Sequence, residues 1–241
     1  MGSAVTWFAT TRSTNDCALE GAAAGVPHGA VYVAETQSGG RGRLGRVWQS
    51  PAGAGLYCSL VLDVPAPAVP FVTLMAGVAA ADAVQASTGL TVQLKWPNDV
   101  WVDGRKLGGI LAEVARTETA ASRIVVGLGL NLLPAALPPD VAALATSLEG
   151  ELGRAVERSV LLAELLIALG RRFAHLTTHG PAGILGAWRA LGGPLMGRRV
   201  EWDAEGAVRE GTARGLADDG ALIVQTPSGD VHLRAGEVRW R

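Results

Sequence analysis

Residues 91–114, TVQLKWPNDVWVDGRKLGGILAEV, constrain the fold more than any other stretch of the chain. Apolar and polar residues alternate on both sides of Asp103-Gly104, and that dipeptide suits the positive-φ positions of a two-residue hairpin turn. Antiparallel pairing is therefore expected here. Runs of β-branched and apolar residues predict further strands over 30–35 (AVYVAE), 56–64 (LYCSLVLDV) and 123–132 (RIVVGLGLNL). The first two are separated by TQSGGRGRLGRVWQSPAGAG, which has too many glycines for a regular element and reads as a loop.

Apolar residues at helical spacing predict helices over 69–88, 138–150 and 159–180, and another over 181–191 that starts at Pro181. The stretch RSTNDCALEGAAAG, residues 12–25, carries Asp16 three positions after Ser13, a capping-box-like start to a short alanine-rich helix. Together these elements predict an α+β fold, a mixed, largely antiparallel sheet flanked by helices. After Gly192-Gly193-Pro194 the pattern changes to short strands separated by turns at Glu205-Gly206, Asp219-Gly220 and Ser228-Gly229. A meander of that length predicts a small β-barrel, so the expected units are residues 1–192 and 193–241.

Composition narrows the function classes. A net charge of −1 over 241 residues provides no general basic field for nucleic acid or an anionic membrane. Cys17 and Cys58 are far apart and form no CxxC, which argues against a disulfide framework or a thiolate metal site and suits a reducing cytosol. The N-terminus has no secretory pattern, and the apolar stretch 71–81 is too short to span a bilayer, so a cytoplasmic protein without membrane attachment is expected. His175 and His179 have i, i+4 spacing without an evident third ligand, and read as a helix-end pair.

Two features point to anion chemistry. In GGRGRLGR, residues 39–46, glycines let backbone N–H groups approach an anion, while Arg41, Arg43 and Arg46 can add bidentate contacts to phosphate or carboxylate. Neither a Walker loop nor a dinucleotide fingerprint is present. A solvated arginine loop and a minor-groove arm are the competing readings. The second feature is that Lys95 and Lys106 are the only lysines among 21 basic residues. A GC-rich coding bias accounts for arginine wherever a generic charge is enough, but a site needing a compact ammonium would retain lysine. Lys106 falls just past the hairpin turn, on the strand returning beside the one that follows Asn98 and Asp99. That grouping could hold an anion and a metal-bound phosphate, while a plain turn after Trp96-Pro97 is the structural alternative.

The blocks STN (13–15), ETQSGGRGRLGRVWQSP (35–51), KWPNDVWVDGRKLGGILAE (95–113) and VVGLGLNL (125–132), in this order, resemble the biotin protein ligases. The resemblance extends over roughly the first 190 residues and the small C-terminal unit. It implies a class II aminoacyl-tRNA synthetase-like catalytic fold with an SH3-like C-terminal barrel. It also implies a two-step reaction. Biotin and ATP give biotinyl-5′-AMP and pyrophosphate, and biotin then passes to a lysine of the biotin carboxyl carrier domain of an acetyl-CoA or acyl-CoA carboxylase.

By the same resemblance, Ser13, Thr14, Asn15, Gln37, Gly40, Arg41 and Gly108 are expected around biotin. Arg43, Arg46, Trp48, Asn98, Lys106 and Asn131 are expected around ATP or the adenylate, with Trp48 stacked on adenine. Lys106, Arg43 and Asp99 carry the catalytic expectation, Asp99 orienting or deprotonating the acceptor lysine. Mg2+ is expected with ATP, Asn98 and Asp99 being candidate contacts and no metal ligand being firm. With STN starting at residue 13, no N-terminal DNA-binding domain and no operator binding are expected. The oligomeric state stays open between monomer and weak dimer. The runner-up is a lipoate or octanoate ligase, which would not need polar partners for a ureido ring; a nucleic-acid-binding module is the alternative from another class. The lysine scarcity gains a second candidate reason, since an acyl-adenylate acylates exposed amines.

Overall fold

The computed structural model describes the chain except for residue 3, residues 116–121, residues 135–142 and residue 205. Its centre is a seven-stranded sheet made of β1 (Val5–Thr11), β2 (Val31–Gln37), β3 (Gly55–Val64), β4 (Gln93–Lys95), β5 (Asp99–Val102), β6 (Arg105–Val114) and β7 (Ser122–Asn131). The strand order is β1-β2-β3-β7-β6-β5-β4. Every pairing is antiparallel except β1 with β2. The hairpin turn falls where the sequence places it, with Asp103 at φ 45° and Gly104 at φ 80°.

Strand periodicity separates the two faces of the sheet. Val61 on β3 and Val125 on β7 pack with Ala18 and Ala22 of α1 (Thr14–Ala23). Their neighbours Leu60, Leu62, Ile124 and Val126 belong to the main core on the other side, with α2 (Val72–Thr88), α4 (Arg158–His179) and α5 (Ala182–Gly192). Strand β3 is thus buried on both faces and reads as one apolar run. The segment Ala66–Thr88 is long and apolar enough to cross a membrane, but 72% of its most apolar window is buried. It is a core element here.

After α5, strands β8 (Arg199–Ala204), β9 (Ala207–Leu216), β10 (Leu222–Thr226), β11 (Gly229–Leu233) and β12 (Val238–Trp240) form a separate antiparallel sheet in the order β11-β10-β9-β8-β12. Val200, Trp202, Leu222 and Val238 belong to the same apolar cluster as Leu94, Trp96 and Trp188. Polar ties reinforce the junction: Trp96 Nε1 donates to Gly220 O at 3.1 Å, and Arg189 donates to Leu216 O at 2.9 Å.

Three sequence expectations change. The first strand, Val5–Thr11, has no counterpart in the sequence reading: it is an exposed edge strand without clean alternation. Ser13 occupies the N-cap of α1 but makes no capping bond through its side chain, and Thr14 N–H donates to Gln37 Oε1 instead. The helix expected over 138–150 begins in residues outside the described ones, and 143–147 are not helical. There Lys106 N–H donates to Leu144 O and Thr146 N–H to Lys106 O, so the segment bridges to β6. A short helix, α3 (Leu148–Leu152), follows, capped by Ser147.

Candidate functional site

A cleft crosses the sheet from the start of α1 and β2 to the β4-β5-β6 hairpin, roofed by the 39–48 loop. The loop is shaped locally. Gly42 N–H donates to Arg46 O and Trp48 N–H to Gly40 O, while Leu44 and Gly45 take positive φ values of 56° and 75°. At Gly40 a Cβ would lie 2.3 Å from Trp48 O, so only glycine lets the two arms of the loop close.

On the β2-β3 side the polar groups are uncharged and fixed. Thr14 donates to Gln37 Oε1 through N–H at 2.8 Å and through its hydroxyl at 3.1 Å, and Gln37 Nε2 donates to Ser50 Oγ at 2.8 Å. The Ser59 hydroxyl lies 2.8 Å from Thr14 Oγ1 and 2.6 Å from Asn15 Oδ1. Asn15 Nδ2 donates to Glu113 Oε2 at 2.7 Å, so its amide is held at both ends. Ser13, at 2% exposure, lines the cleft; its carbonyl accepts from Cys17 N–H at 3.1 Å, while its hydroxyl makes no hydrogen bond among the described residues.

On the β4-β6 side the cleft is cationic. Arg43, Arg46, Lys95 and Lys106 line it with Asp99 and Glu237, a net positive balance that favours a polyanion. Lys106 Nζ meets Asp99 Oδ1 at 2.6 Å and lies 5.4 Å from the Trp48 ring centroid. Arg43 donates to Asn98 Oδ1 at 3.1 Å and to Gly236 O at 3.0 Å; burial lowers its pKa, against the opposing pull of Asp99 and Glu237. Arg46 pairs with Glu237. Arg41 is clamped by Glu113 through two bonds of 2.8 Å and by Asp16 at 2.8 Å. Two buried donors, Arg41 Nε and Trp48 Nε1, have no acceptor among the described residues. Each such orphan costs about 1–3 kcal/mol until a partner arrives.

Of the expected site residues, Ser13, Thr14, Asn15, Gln37, Arg41, Arg43, Arg46, Trp48, Asn98, Asp99 and Lys106 line this one cleft. Gly40, Gly108 and Asn131 do not. The first two are tight backbone contacts, a Cβ at Gly108 falling 2.6 Å from Gly129 O, while Asn131 Nδ2 donates to Thr146 O at 3.0 Å. It is Gly109 that lies under the Lys106–Asp99 pair. The sequence reading singled out Lys95 by its rarity but gave it no role in the site, and it missed Glu237, Val238 and the glycines of VVGLGLNL as lining residues, and Glu113 as the clamp. Gly127 and Gly129 alternate on one face of β7, where a Cβ would strike Asn15 Oδ1 at 2.0 Å and Trp48 Cε2 at 2.6 Å. That alternation was the signal available. His175 and His179 stack at 4.9 Å outside the cleft, and no group of three or more metal-ligating side chains occurs among the described residues.

Residues 7–131 match the biotin/lipoate A/B protein ligase family, and residues 195–239 match the biotin protein ligase C-terminal domain. The chain is 32% identical, over 99% of its length and 74% of the relative's, to the bifunctional ligase/repressor BirA of Bacillus subtilis. It is 37% identical to the biotin–[acetyl-CoA-carboxylase] ligase of Paracoccus denitrificans, covering 96% of this chain and 98% of that one. The solved biotin protein ligase of Aquifex aeolicus, in complex with biotin and ATP, superposes with a TM-score of 0.86 at 27% identity, covering 99% of both chains. With both segments matched in order, the chain belongs to the biotin protein ligases of the biotin/lipoate A/B protein ligase family.

Proposed function

We propose that this protein joins biotin to a lysine of a carboxylase biotin carrier domain through biotinyl-5′-AMP. One observation carries the reading: a single cleft has fixed uncharged hydrogen-bonding groups at one side and a cluster of cations at the other. Biotin has the same polarity, with a ureido ring at one end and a carboxylate at the other. Ser13, Thr14 and Gln37 can serve the ring, whose N–H and C=O groups need partners once buried. Asn15 supports that wall, held between Ser59 and Glu113.

In the first step the biotin carboxylate attacks the α-phosphorus of ATP, and pyrophosphate leaves. The reaction brings several negative charges to one point, and fixed cations lower its barrier by neutralising them without reorganisation. That task is assigned here to Lys106 and Arg43. In this proposal Lys106 exchanges Asp99 for the reacting oxygens, which frees the Asp99 carboxylate for the second step. Asp99 then orients or deprotonates the acceptor lysine, whose amine attacks the biotinyl carbonyl and releases AMP. Trp48 offers an aromatic face for adenine. Asn131 and Gly108 support the cleft from behind.

Mg2+ is proposed as a companion of ATP, neutralising its triphosphate. Asn98 uses its amide on Arg43 and Ile110, and Asp99 is paired with Lys106, so neither is positioned as a resident metal ligand. Residues 1–192 are proposed as the ligase unit and 193–241 as a small unit that closes the cleft through Glu237 and Val238, and the cytoplasm is proposed as the compartment.

The uncharged set favours biotin over lipoate, which has no ureido ring. ATP–pyrophosphate exchange with biotin, lipoate or no acid tests the reading. Exchange with biotin alone supports it, and exchange with lipoate alone moves the chain to the lipoate ligases.

A further inference from the structure

The tip of the arginine loop has little hold of its own. Residues 40–48 close on themselves, Trp48 N–H donating to Gly40 O at 2.9 Å, Gly42 N–H to Arg46 O at 2.7 Å and Arg46 N–H to Arg43 O at 3.2 Å. Arg41 anchors the base on Glu113 and Asp16. Beyond it, Leu44 and Val47 are 70% and 71% exposed, so apolar packing does not fix the tip. Among the described residues, the side-chain bonds from the tip to the rest of the protein come from two arginines. Arg43 donates to Asn98 Oδ1 and to Gly236 O, and Arg46 pairs with Glu237.

Two of those three acceptors belong to one turn of the C-terminal strands, and that turn is fixed on both sides. Before it, Arg234 donates to Asp219 at 3.0 Å. After it, Val238 is 6% exposed, belongs to the main apolar core and stands opposite Trp202 in the β8-β12 ladder. Between them Gly236 takes a φ of 106°, which a residue with a Cβ adopts only under strain. A solvated hairpin is thus tied at its tip to a rigid point 191 residues later in the chain. A guanidinium has five donors, so Arg43 can keep these bonds and still face the cleft.

We propose that Glu237 is a positioning residue that latches the roof of the cleft through Arg46, so that the C-terminal strands set how fast biotinyl-5′-AMP enters and leaves. The part concerning the adenylate rests on the ligase reading. An acyl-adenylate has to wait for its acceptor between the two steps, and one that escapes is hydrolysed or acylates amines at random. The roof has to open for it to escape, and the pair of Arg46 with Glu237 opposes that opening. The latch acts on the closed roof whether or not the cleft is filled, so it slows entry and exit together and leaves affinity nearly unchanged.

The test has two arms. In the unliganded protein, limited thermolysin cleavage at Leu44 and Val47 reports opening of the roof. Glu237→Gln and Arg46→Gln should each speed that cleavage by about two- to fivefold, the size expected of one partly exposed ion pair, and the double variant should be no faster than either alone. Glu237→Asp, which keeps the charge, should recover part of the loss. Unchanged cleavage in both single variants, or additive effects in the double variant, would overturn the latch. In the second arm, stopped-flow binding and chase of supplied biotinyl-5′-AMP should show association and dissociation both about two- to fivefold faster in Glu237→Gln, with affinity held within about twofold. An unchanged dissociation rate, or an affinity lost with association unchanged, would contradict control of entry and exit. Failure of the unaltered protein to bind biotinyl-5′-AMP would count against the ligase reading, and the cleavage arm would still decide for the latch.

Discussion

Lys106 Nζ and Asp99 Oδ1 stand 2.6 Å apart on neighbouring strands, so the carboxylate assigned to the second half-reaction is occupied by the lysine assigned to the first. In the proposed reaction, adenylation and transfer use one pair in turn. Asp99→Ala should slow transfer from preformed biotinyl-5′-AMP by about 100-fold, the size of effect typical of a lost acid-base group. Exchange should fall far less, because Lys106 keeps its charge. Single-turnover measurement of both half-reactions checks this. Loss of exchange with normal transfer would contradict the acceptor role of Asp99.

Gly129 and Gly109 make a matched pair of tests. A Cβ at Gly129 would meet the Trp48 ring at 2.6 Å, whereas one at Gly109 meets Lys106 Cε at 3.4 Å, an ordinary contact. Gly129→Ala should displace the indole and weaken ATP binding by about tenfold, or about 1.4 kcal/mol. Gly109→Ala should leave ATP affinity nearly unchanged. Titration of Trp fluorescence with ATP would separate the two.

Glu113 ties the arginine loop to the polar wall, accepting from Arg41 twice and from Asn15 once. Glu113→Gln should weaken biotin binding by about tenfold and lower stability by about 2 kcal/mol, since charged hydrogen-bond partners lose their acceptor. Calorimetric binding of biotin and a thermal melt on the same variant give both numbers. The glycines of the loop lead to an added expectation, that protease protection of residues 39–46 increases with biotin. Equal protection with and without biotin would contradict it.

His28 supplies a pH dependence. Its Nδ1 accepts from Asp63 N–H at 3.0 Å, and burial lowers its pKa, against the raising effect of Asp63. The folded protein thus prefers neutral imidazole. Stability from this group is present above its ordinary value, about 6.5, and is lost as pH falls through the depressed folded value. The melting temperature should therefore decline below about pH 6.5, and His28→Gln should remove that part of the decline.

The sequence made legible those features that depend on neighbours along the chain. The hairpin at Asp103-Gly104, the helix ending at His179 and the strand carrying VVGLGLNL follow from local turn chemistry and periodicity. Strand β1 was not legible, because a parallel edge strand that is largely exposed has neither alternation nor a turn beside it. The helix expected through 143–147 yields to a bridge with Lys106, a partner about forty residues earlier. Within the site, Lys106 and the arginine loop announced themselves by residue type. Glu113 and Glu237 did not, since an acidic residue far away in sequence acquires meaning only when the fold brings Arg41 or Arg46 to it.

The apolar cluster that runs from Leu94 and Trp96 through Trp188 to Trp202 and Leu222 has no seam at residue 193. The C-terminal strands therefore cannot be traded between relatives like a cassette. Trp202 shares that cluster with Trp188 and Trp96, and Trp96, which directly follows Lys95, is bonded to Gly220 O. The two stretches of chain have to drift together, and a cut between them would leave two sticky halves.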